Sequence, residues 1–140
     1  MKDMKLGAIE SRFAAIIWHN EPLTTAELIR LCSKELGWKR TTAYTVLKRL
    51  SDRGLFQNRN GTVSSLISEQ DFYARQSEQF VEENFDGSLP AFLAAFGSRK
   101  RLSEGEIAEL ERMIAGMRDR QSKRPEEGRQ GEESMEREIG

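Results

Sequence analysis

Residues 38–55 read WKRTTAYTVLKRLSDRGL. From Arg40 onward, apolar side chains recur at helical spacing and predict an amphipathic helix that is closed by Gly54. The other face of this helix carries hydroxyl groups, one aromatic ring and cations, with no acidic residue before Asp52. This division of faces is typical of a helix that packs on a core and turns its polar side to phosphates. The core positions are Ala43, Val46, Leu47 and Leu50.

Two further helices are predicted before this one. Apolar residues recur at helical spacing over about residues 7–19, and Pro22 then breaks the pattern. Thr24 and Glu27 have the spacing of a capping box, so a second helix should begin there and run to about Leu36. Gly37 can end that helix by taking a positive φ.

A hairpin is predicted directly after the third helix. Asn60-Gly61 separates residues 55–59 from residues 62–67, and this dipeptide tolerates the two positive φ angles of a type I′ turn. Three helices followed by a hairpin predict a winged helix-turn-helix DNA-binding domain over residues 1–67, with a two-stranded wing. The expected fold class is therefore mostly α, an α+β winged helix followed by a C-terminal helical region.

The second half of the sequence predicts a helical dimerisation domain over residues 68–120. A long charged helix should start at Ser68, a shorter one should end at Gly97, and a last helix should follow Ser103. Four apolar residues of the last helix have the spacing of a two-helix seam and are too few to close a monomeric core. From residue 121 to 140 the composition is polar, which predicts a disordered tail. The residues assigned to the dimer contact are Phe80, Phe92, Phe96, Ile107, Leu110, Ile114 and Met117.

The charge is divided unequally along the chain, although the formal net charge is only −1. Residues 1–67 carry 11 Lys and Arg against 6 Asp and Glu, whereas residues 68–140 carry 11 against 17. The basic half coincides with the predicted DNA-binding domain, as expected of a module that faces phosphates. The predicted DNA-binding residues are Lys39, Arg40, Thr41, Thr42, Tyr44, Thr45, Lys48, Arg49 and, near the wing tip, Arg59.

Composition also excludes several classes of protein. The chain has one cysteine and one histidine, so we expect neither an internal disulfide nor a Cys/His zinc site, and no cofactor. Cys32 is interpreted as a small buried hydrophobe. There is no glycine-rich phosphate loop or nucleophile elbow, so an enzyme is not expected. No apolar run is long enough to cross a bilayer, which favours a cytoplasmic protein without membrane insertion.

A winged helix that serves only for protein contacts is the alternative to DNA binding. Acidic or apolar residues would then be expected on the outward face of the third helix. This sequence has Arg40, Lys48 and Arg49 there instead. Double-stranded DNA is therefore the predicted partner.

The sequence resembles the penicillinase repressor (BlaI/MecI/CopY) family. The resemblance rests on residues 10–18, ESRFAAIIW, and above all on residues 38–50, WKRTTAYTVLKRL, followed by Arg53-Gly54-Leu55. It continues through residues 92–96, FLAAF, to about residue 118. The resemblance implies a homodimer, held by the C-terminal helices, that binds a palindromic operator and represses resistance or homeostasis genes.

The resemblance also implies two ways of induction. In the β-lactam branch, a membrane sensor protease triggers cleavage before a Phe, at a bond that maps onto Ala95-Phe96; Ala95 stands where the family has Asn. The copper branch carries paired cysteines near its C-terminus, which this chain lacks. Copper sensing through such a site is therefore excluded. A different, non-proteolytic inducer is the alternative to cleavage.

Overall fold

The computed structural model describes residues 4–139, and for residues 123–139, in the last helix, it describes the backbone alone. The chain folds as two compact units that divide between Leu89 and Pro90. The first unit is a winged helix with one additional helix, and the second unit is helical. The elements are α1 (Ala8–Asn20), β1 (Leu23–Thr24), α2 (Thr25–Leu36), α3 (Arg40–Asp52), β2 (Phe56–Arg59), β3 (Thr62–Ser65), α4 (Glu69–Phe85), α5 (Leu89–Arg99) and α6 (Glu104–Ile139).

Helix α2 begins and ends at the residues that the sequence predicts. The Thr24 hydroxyl oxygen accepts the Glu27 N–H at 3.1 Å, and the Glu27 carboxylate accepts the Thr24 N–H at 3.5 Å, which confirms the capping box. Gly37 has φ 68° and ends the helix, and its N–H donates to the Ser33 carbonyl at 3.1 Å. Since α3 begins at Arg40, the two helices are joined by a short turn.

The wing is a tight hairpin, and the sheet that contains it has one strand more than the two that the sequence predicts. Asn60 has φ 53° and Gly61 has φ 87°, so both central residues take the positive φ expected of a type I′ turn. A third strand, β1, pairs antiparallel with β3 through Leu23 and Val63, giving the sheet order β1-β3-β2. Two residues are too few to show an alternating pattern, which is why β1 has no signal in the sequence.

An aromatic cluster joins α1, the wing and α4. The Trp18 ring lies 5.5 Å from the Phe56 ring and 5.5 Å from the Phe72 ring, measured between centroids. The Trp18 indole N–H donates to the Ile67 carbonyl at 3.0 Å. Phe56 and Phe72 are both 1% exposed or less. Helix α4 therefore supplies part of the core of the first unit.

The segment before α1 also attaches α4 to the winged helix. The Met4 N–H donates to the Gln79 side-chain oxygen at 3.0 Å, and the Gln76 amide donates to the Met4 carbonyl at 2.9 Å. The boundary predicted after Ile67 divides a DNA-binding domain from a dimerisation domain. This division of function remains a proposal. As a packing unit, the described chain continues to Leu89 because α4 rests on the winged helix.

Helix α5 does not end at Gly97, contrary to the sequence prediction. The helix continues to Arg99, and the Lys100 N–H donates to the Phe96 carbonyl at 2.9 Å. A glycine inside a helix costs only about 1 kcal/mol relative to alanine, so Gly97 weakens the helix without ending it. Helix α6 extends to Ile139, but the side chains beyond Ser122 lie outside the described residues. The tail expected over residues 121–140 stays a prediction.

Cys32 is fully buried on α2, as the sequence predicts. Burial first, and the nearby Glu35 carboxylate second, raise the pKa of its thiol from 9.0 to about 11. Folding therefore favours the neutral thiol. This contribution to stability is complete below pH 9 and is lost as the pH rises toward 11.

We expect the free energy of unfolding to fall by about 2 kcal/mol more in the wild type than in Cys32→Ala between pH 8.5 and 11, from roughly 1.4 kcal/mol per pKa unit. Denaturant titrations of both proteins at each pH measure this difference. Both proteins contain the same lysines and tyrosines, so the contribution of these residues to the pH dependence cancels in the difference. An equal fall in both proteins would contradict the shifted thiol.

Candidate nucleic-acid interface

Helix α3 presents an uncapped, cationic N-terminus to solvent. Lys39 occupies the N-cap position, and within the described residues no side chain accepts a hydrogen bond from the first turn of α3. By contrast, α2 and α4 are capped by the hydroxyl groups of Thr24 and Ser68. The first turn of α3 also contains no acidic residue. Its free N–H groups and positive dipole end are therefore open to an anion such as a phosphate.

All nine residues predicted to bind DNA are exposed. Eight of them follow the outer face of α3 and its N-cap, while the buried residues of α3 are the four predicted core positions. The structure thus separates the two faces of the helix as the sequence predicts. The ninth residue, Arg59, is the last residue of β2 and adjoins the turn of the wing.

The cations of α3 differ in what they contact. Arg49 forms an ion pair with Glu10 of α1, with 3.1 Å between Nη2 and Oε2, and the Glu10 side chain is only 24% exposed. Lys48 lies 3.2 Å from the Asp52 carboxylate one turn later on an exposed face. Arg49 therefore fixes α3 to α1, whereas Lys48 makes a solvent-screened contact of little energetic weight. Sequence reasoning missed Glu10, since its partner lies 39 residues away.

Tyr44 lies on the outer face of α3, near the start of α2. The polar side chain of Thr25 first, and the Arg40 side chain second, lower the pKa of the Tyr44 hydroxyl. The Arg40 guanidinium carbon lies 5.9 Å from the centre of the Tyr44 ring. Thr25 is the first residue of α2 and was not singled out by the sequence, because nothing in its spacing indicates a contact with α3. The hydroxyl of Thr45 donates to the Thr41 carbonyl at 2.8 Å.

The wing is tied to the start of α2. The Thr25 N–H donates to the Gly61 carbonyl at 3.0 Å, which joins the turn of the wing to the first residue of α2. Across the hairpin, the Gln57 amide donates to the Ser64 hydroxyl at 3.1 Å. The N-terminus of α2, the outer face of α3 and the tip of the wing thus belong to one packed unit, which can offer several phosphate contacts at once.

The residues predicted to form the dimer contact leave apolar surface exposed. In the described part of the second unit, residues 90–122, no residue is fully buried. Ile107, Leu110, Ile114 and Met117 form the α6 stripe; Ile114 is 52% exposed and Met117 41%. The rings of Phe92 and Phe96 are 6.2 Å apart and line a groove between α5 and α6, together with Leu110. Phe80 lies in the first unit, on α4, and is 48% exposed.

The bond proposed for cleavage, Ala95-Phe96, lies inside α5. Both residues are exposed, and the Ala95 carbonyl accepts the Ser98 hydroxyl at 2.7 Å. The bond is therefore at the surface but in a helical conformation.

The described residues contain neither a metal site nor a membrane-spanning helix. Among the described residues, no group of three or more His, Cys, Asp or Glu side chains is arranged to hold a metal ion. In the same part of the chain, no helix has the length and apolarity needed to cross a membrane.

The chain is similar in sequence to known repressors. A family model described as "Penicillinase repressor" matches residues 6–116. The chain is 29% identical over 109 residues to the "Penicillinase repressor" of Bacillus licheniformis, an alignment that covers 75% of this chain and 85% of that protein. It is 23% identical over 117 residues to the "Methicillin resistance regulatory protein MecI" of Staphylococcus aureus, covering 81% of this chain and 95% of the relative. The corresponding protein of Mammaliicoccus sciuri is 22% identical over 117 residues.

Proposed function

Because the chain belongs to the penicillinase repressor family, we propose that it represses transcription of resistance genes by binding a palindromic operator as a homodimer. Membership of a family of repressors confirms the expectation that the chain is not an enzyme. A repressor acts where the DNA is, so we place it in the cytoplasm.

The observation that carries this proposal is the start of α3. An uncapped helix N-terminus, preceded by Lys39 and followed by Arg40, lies in the same packed unit as the exposed Arg59 of the wing. The major groove of B-DNA is about 12 Å wide and admits one α-helix. With α3 in the groove, its first turn meets base edges and phosphates, and Arg59 can reach the flanking backbone.

The α6 stripe supports a dimer. Its four apolar residues recur at the 3–4 spacing of a two-helix seam, and Ile107 and Ile114 are about half exposed in the isolated chain. A second copy of the same helix would bury this surface. In a helix-turn-helix dimer, the two recognition helices meet half-sites about 34–36 Å apart, so the proposed operator is palindromic.

Release of the repressor is proposed to occur through the second unit. Cleavage at Ala95-Phe96 would cut α5 beside the groove that it forms with α6. A membrane sensor protease is the candidate partner for that step, and a non-proteolytic inducer is the alternative. Intact-mass measurement of the chain from cells exposed to a β-lactam separates the two. A fragment that ends at Ala95 supports cleavage, and an intact chain in derepressed cells supports the alternative.

The direct test of repression is binding to the region upstream of the chain's own gene. We expect the full chain to bind one fragment of that region at low salt, with an affinity that falls steeply as salt is added, because phosphate contacts release counterions. Unrelated DNA of the same length is the control. Failure to bind any upstream fragment at low salt would rule out the proposed function.

Lys48→Ala should weaken binding to every DNA sequence by about the same factor. Lys48 is exposed and its carboxylate contact is solvent-screened, so we assign it to a phosphate. The slope of log affinity against log salt should then become shallower by about 0.9 for each half-site. Fluorescence anisotropy on specific and random duplexes over a range of salt measures both effects.

Lys34→Ala is the matched control for this prediction. It removes an exposed lysine from the last turn of α2, outside α3, and should change neither affinity nor slope. A loss confined to the specific sequence in Lys48→Ala would show that Lys48 contacts a base.

A further inference from the structure

We propose that Arg40 reads a guanine in each half-site and that Tyr44 is the positioning residue that holds its guanidinium for this contact. The inference rests on the proposed function, since it concerns how α3 distinguishes one DNA sequence from another. Arg40 would contact the base directly, and Tyr44 would orient the Arg40 guanidinium.

Arg40 and Tyr44 lie one helical turn apart on the outer face of α3. Side chains of a helix lean toward its N-terminus, so the ring of Tyr44 extends over the turn that carries Arg40. The distance of 5.9 Å between the guanidinium carbon and the ring centre is within the range of a cation–π contact, about 6 Å. Both side chains remain exposed. The ring can therefore steady the guanidinium without covering its N–H groups.

Tyr44 also has a polar neighbour outside α3. The Thr25 side chain, at the start of α2, lies close enough to the Tyr44 hydroxyl to lower its pKa. Thr25 in turn donates its N–H to the Gly61 carbonyl in the wing turn, at 3.0 Å. The wing turn, the start of α2, Tyr44 and Arg40 are therefore successive neighbours. The hydroxyl end of the Tyr44 ring thus lies next to the start of α2.

The other polar groups of α3 are engaged differently. Arg49 is paired with Glu10, Lys48 with Asp52, and the Thr45 hydroxyl donates to its own helix. Of the α3 cations in the described chain, Arg40 is the one placed against an aromatic ring. It also occupies the first turn, the part of a recognition helix that meets base edges.

The chemistry of the guanidinium selects guanine. Its planar fork donates two parallel hydrogen bonds to O6 and N7 of guanine, which is the commonest specific contact in the major groove. A lysine ammonium can also donate to guanine, but it is a point charge on a flexible stem and lacks the planar fork that an aromatic ring can orient. A guanidinium that is already oriented on a ring loses less rotational freedom when it binds. Orientation matters little for a phosphate but decides recognition of a base.

The experiment starts from sequences that the full-length protein selects from a random duplex library. We expect a guanine to be enriched at one position of each half-site. Replacing that base pair should weaken wild-type binding by about 5- to 150-fold per half-site. Replacing the guanine with 7-deazaguanine, which lacks the N7 acceptor, should also weaken it. Arg40→Ala should lose both sensitivities.

Four further variants separate the roles. Arg40→Lys should weaken the preference for guanine, because the planar fork is lost, but keep the salt dependence, because the charge remains. Tyr44→Leu should lose most of the preference with the salt dependence unchanged, and Tyr44→Phe should lose only part of it because the ring stays. Lys39→Ala is the matched control: a neighbouring exposed cation whose loss should weaken all binding and leave the preference intact. Thermal unfolding of each variant verifies the fold.

Each outcome has a distinct meaning. If the wild type selects no sequence, the proposed function fails and this inference fails with it. If it selects sequences without the guanine, or if Arg40→Ala stays sensitive to 7-deazaguanine, the inference is overturned while repression by operator binding stands. If Arg40→Ala loses the preference but Tyr44→Leu keeps it, the positioning role of Tyr44 is overturned.

Discussion

Ile114→Asp should leave the chain monomeric while the first unit stays folded. Ile114 lies in the α6 stripe and is 52% exposed in the isolated chain, so aspartate there costs little to the monomer. In a dimer the same position would be buried against the partner helix, where an unpaired carboxylate is strongly unfavourable. Two linked half-site contacts exceed one by a factor of about 100 or more, so affinity for the operator should fall by at least that factor.

Sedimentation equilibrium and operator binding test this expectation together. Ala115→Asp is the matched control, since it introduces the same charge at the next residue, which is exposed and outside the α6 stripe. It should remain dimeric and bind the operator normally. An intact dimer in Ile114→Asp would contradict the proposed dimer contact along the α6 stripe. A monomeric variant that keeps full affinity for the palindrome would show that linkage of two half-sites is not the source of affinity.

The parts of the fold that the sequence predicts well are those set by neighbouring residues. The α2 cap depends on Thr24 and Glu27, three residues apart, and the wing turn depends on the adjacent pair Asn60-Gly61. The outer and inner faces of α3 follow from helical periodicity alone. In each case the interacting groups are within one turn, so residue type and spacing contain the whole physical cause.

Contacts between distant segments could not be predicted in this way. Glu10 meets Arg49, and Thr25 meets Tyr44, only because α1, α2 and α3 pack as they do. Neither contact produces a recognisable pattern in the spacing of neighbouring residues. As a result, the sequence identifies the outer face of α3 as a set of polar residues but does not say which of them are already engaged. That distinction, which the structure supplies, is what separates Arg40 from Arg49.

Helix α4 shows the same limit at the level of domains. Its charged sequence and its apolar residues at wide spacing indicate a helix, and the change in composition after residue 67 suggests that a new domain starts there. In the structure, Phe72 of this helix is buried in the aromatic core around Trp18. A buried ring therefore helps to attach α4 to the first unit, and composition cannot reveal which ring that is.

Phe72→Ala should lower the free energy of unfolding of the first unit by about 3–5 kcal/mol, the usual cost of removing a buried phenylalanine ring. Phe72 is 0% exposed, and its ring lies 5.5 Å from Trp18 and 5.2 Å from Tyr73, so the substitution leaves a cavity lined by aromatic rings. Small domains are stable by only about 5–15 kcal/mol in total. Urea titration followed by tryptophan fluorescence measures the loss directly, since Trp18 lines the cavity.

Phe80→Ala is the control that separates packing within the chain from packing between two copies. Phe80 lies on the same helix, but its side chain is 48% exposed. If Phe80 contributes to the dimer contact, its loss should destabilise the protein at concentrations where dimers form and have little effect where the wild type is monomeric. The loss from Phe72→Ala should be the same at both concentrations, because its cause lies within one chain. A concentration-dependent loss in Phe72→Ala would mean that α4 is held in place by the partner and not by the aromatic core.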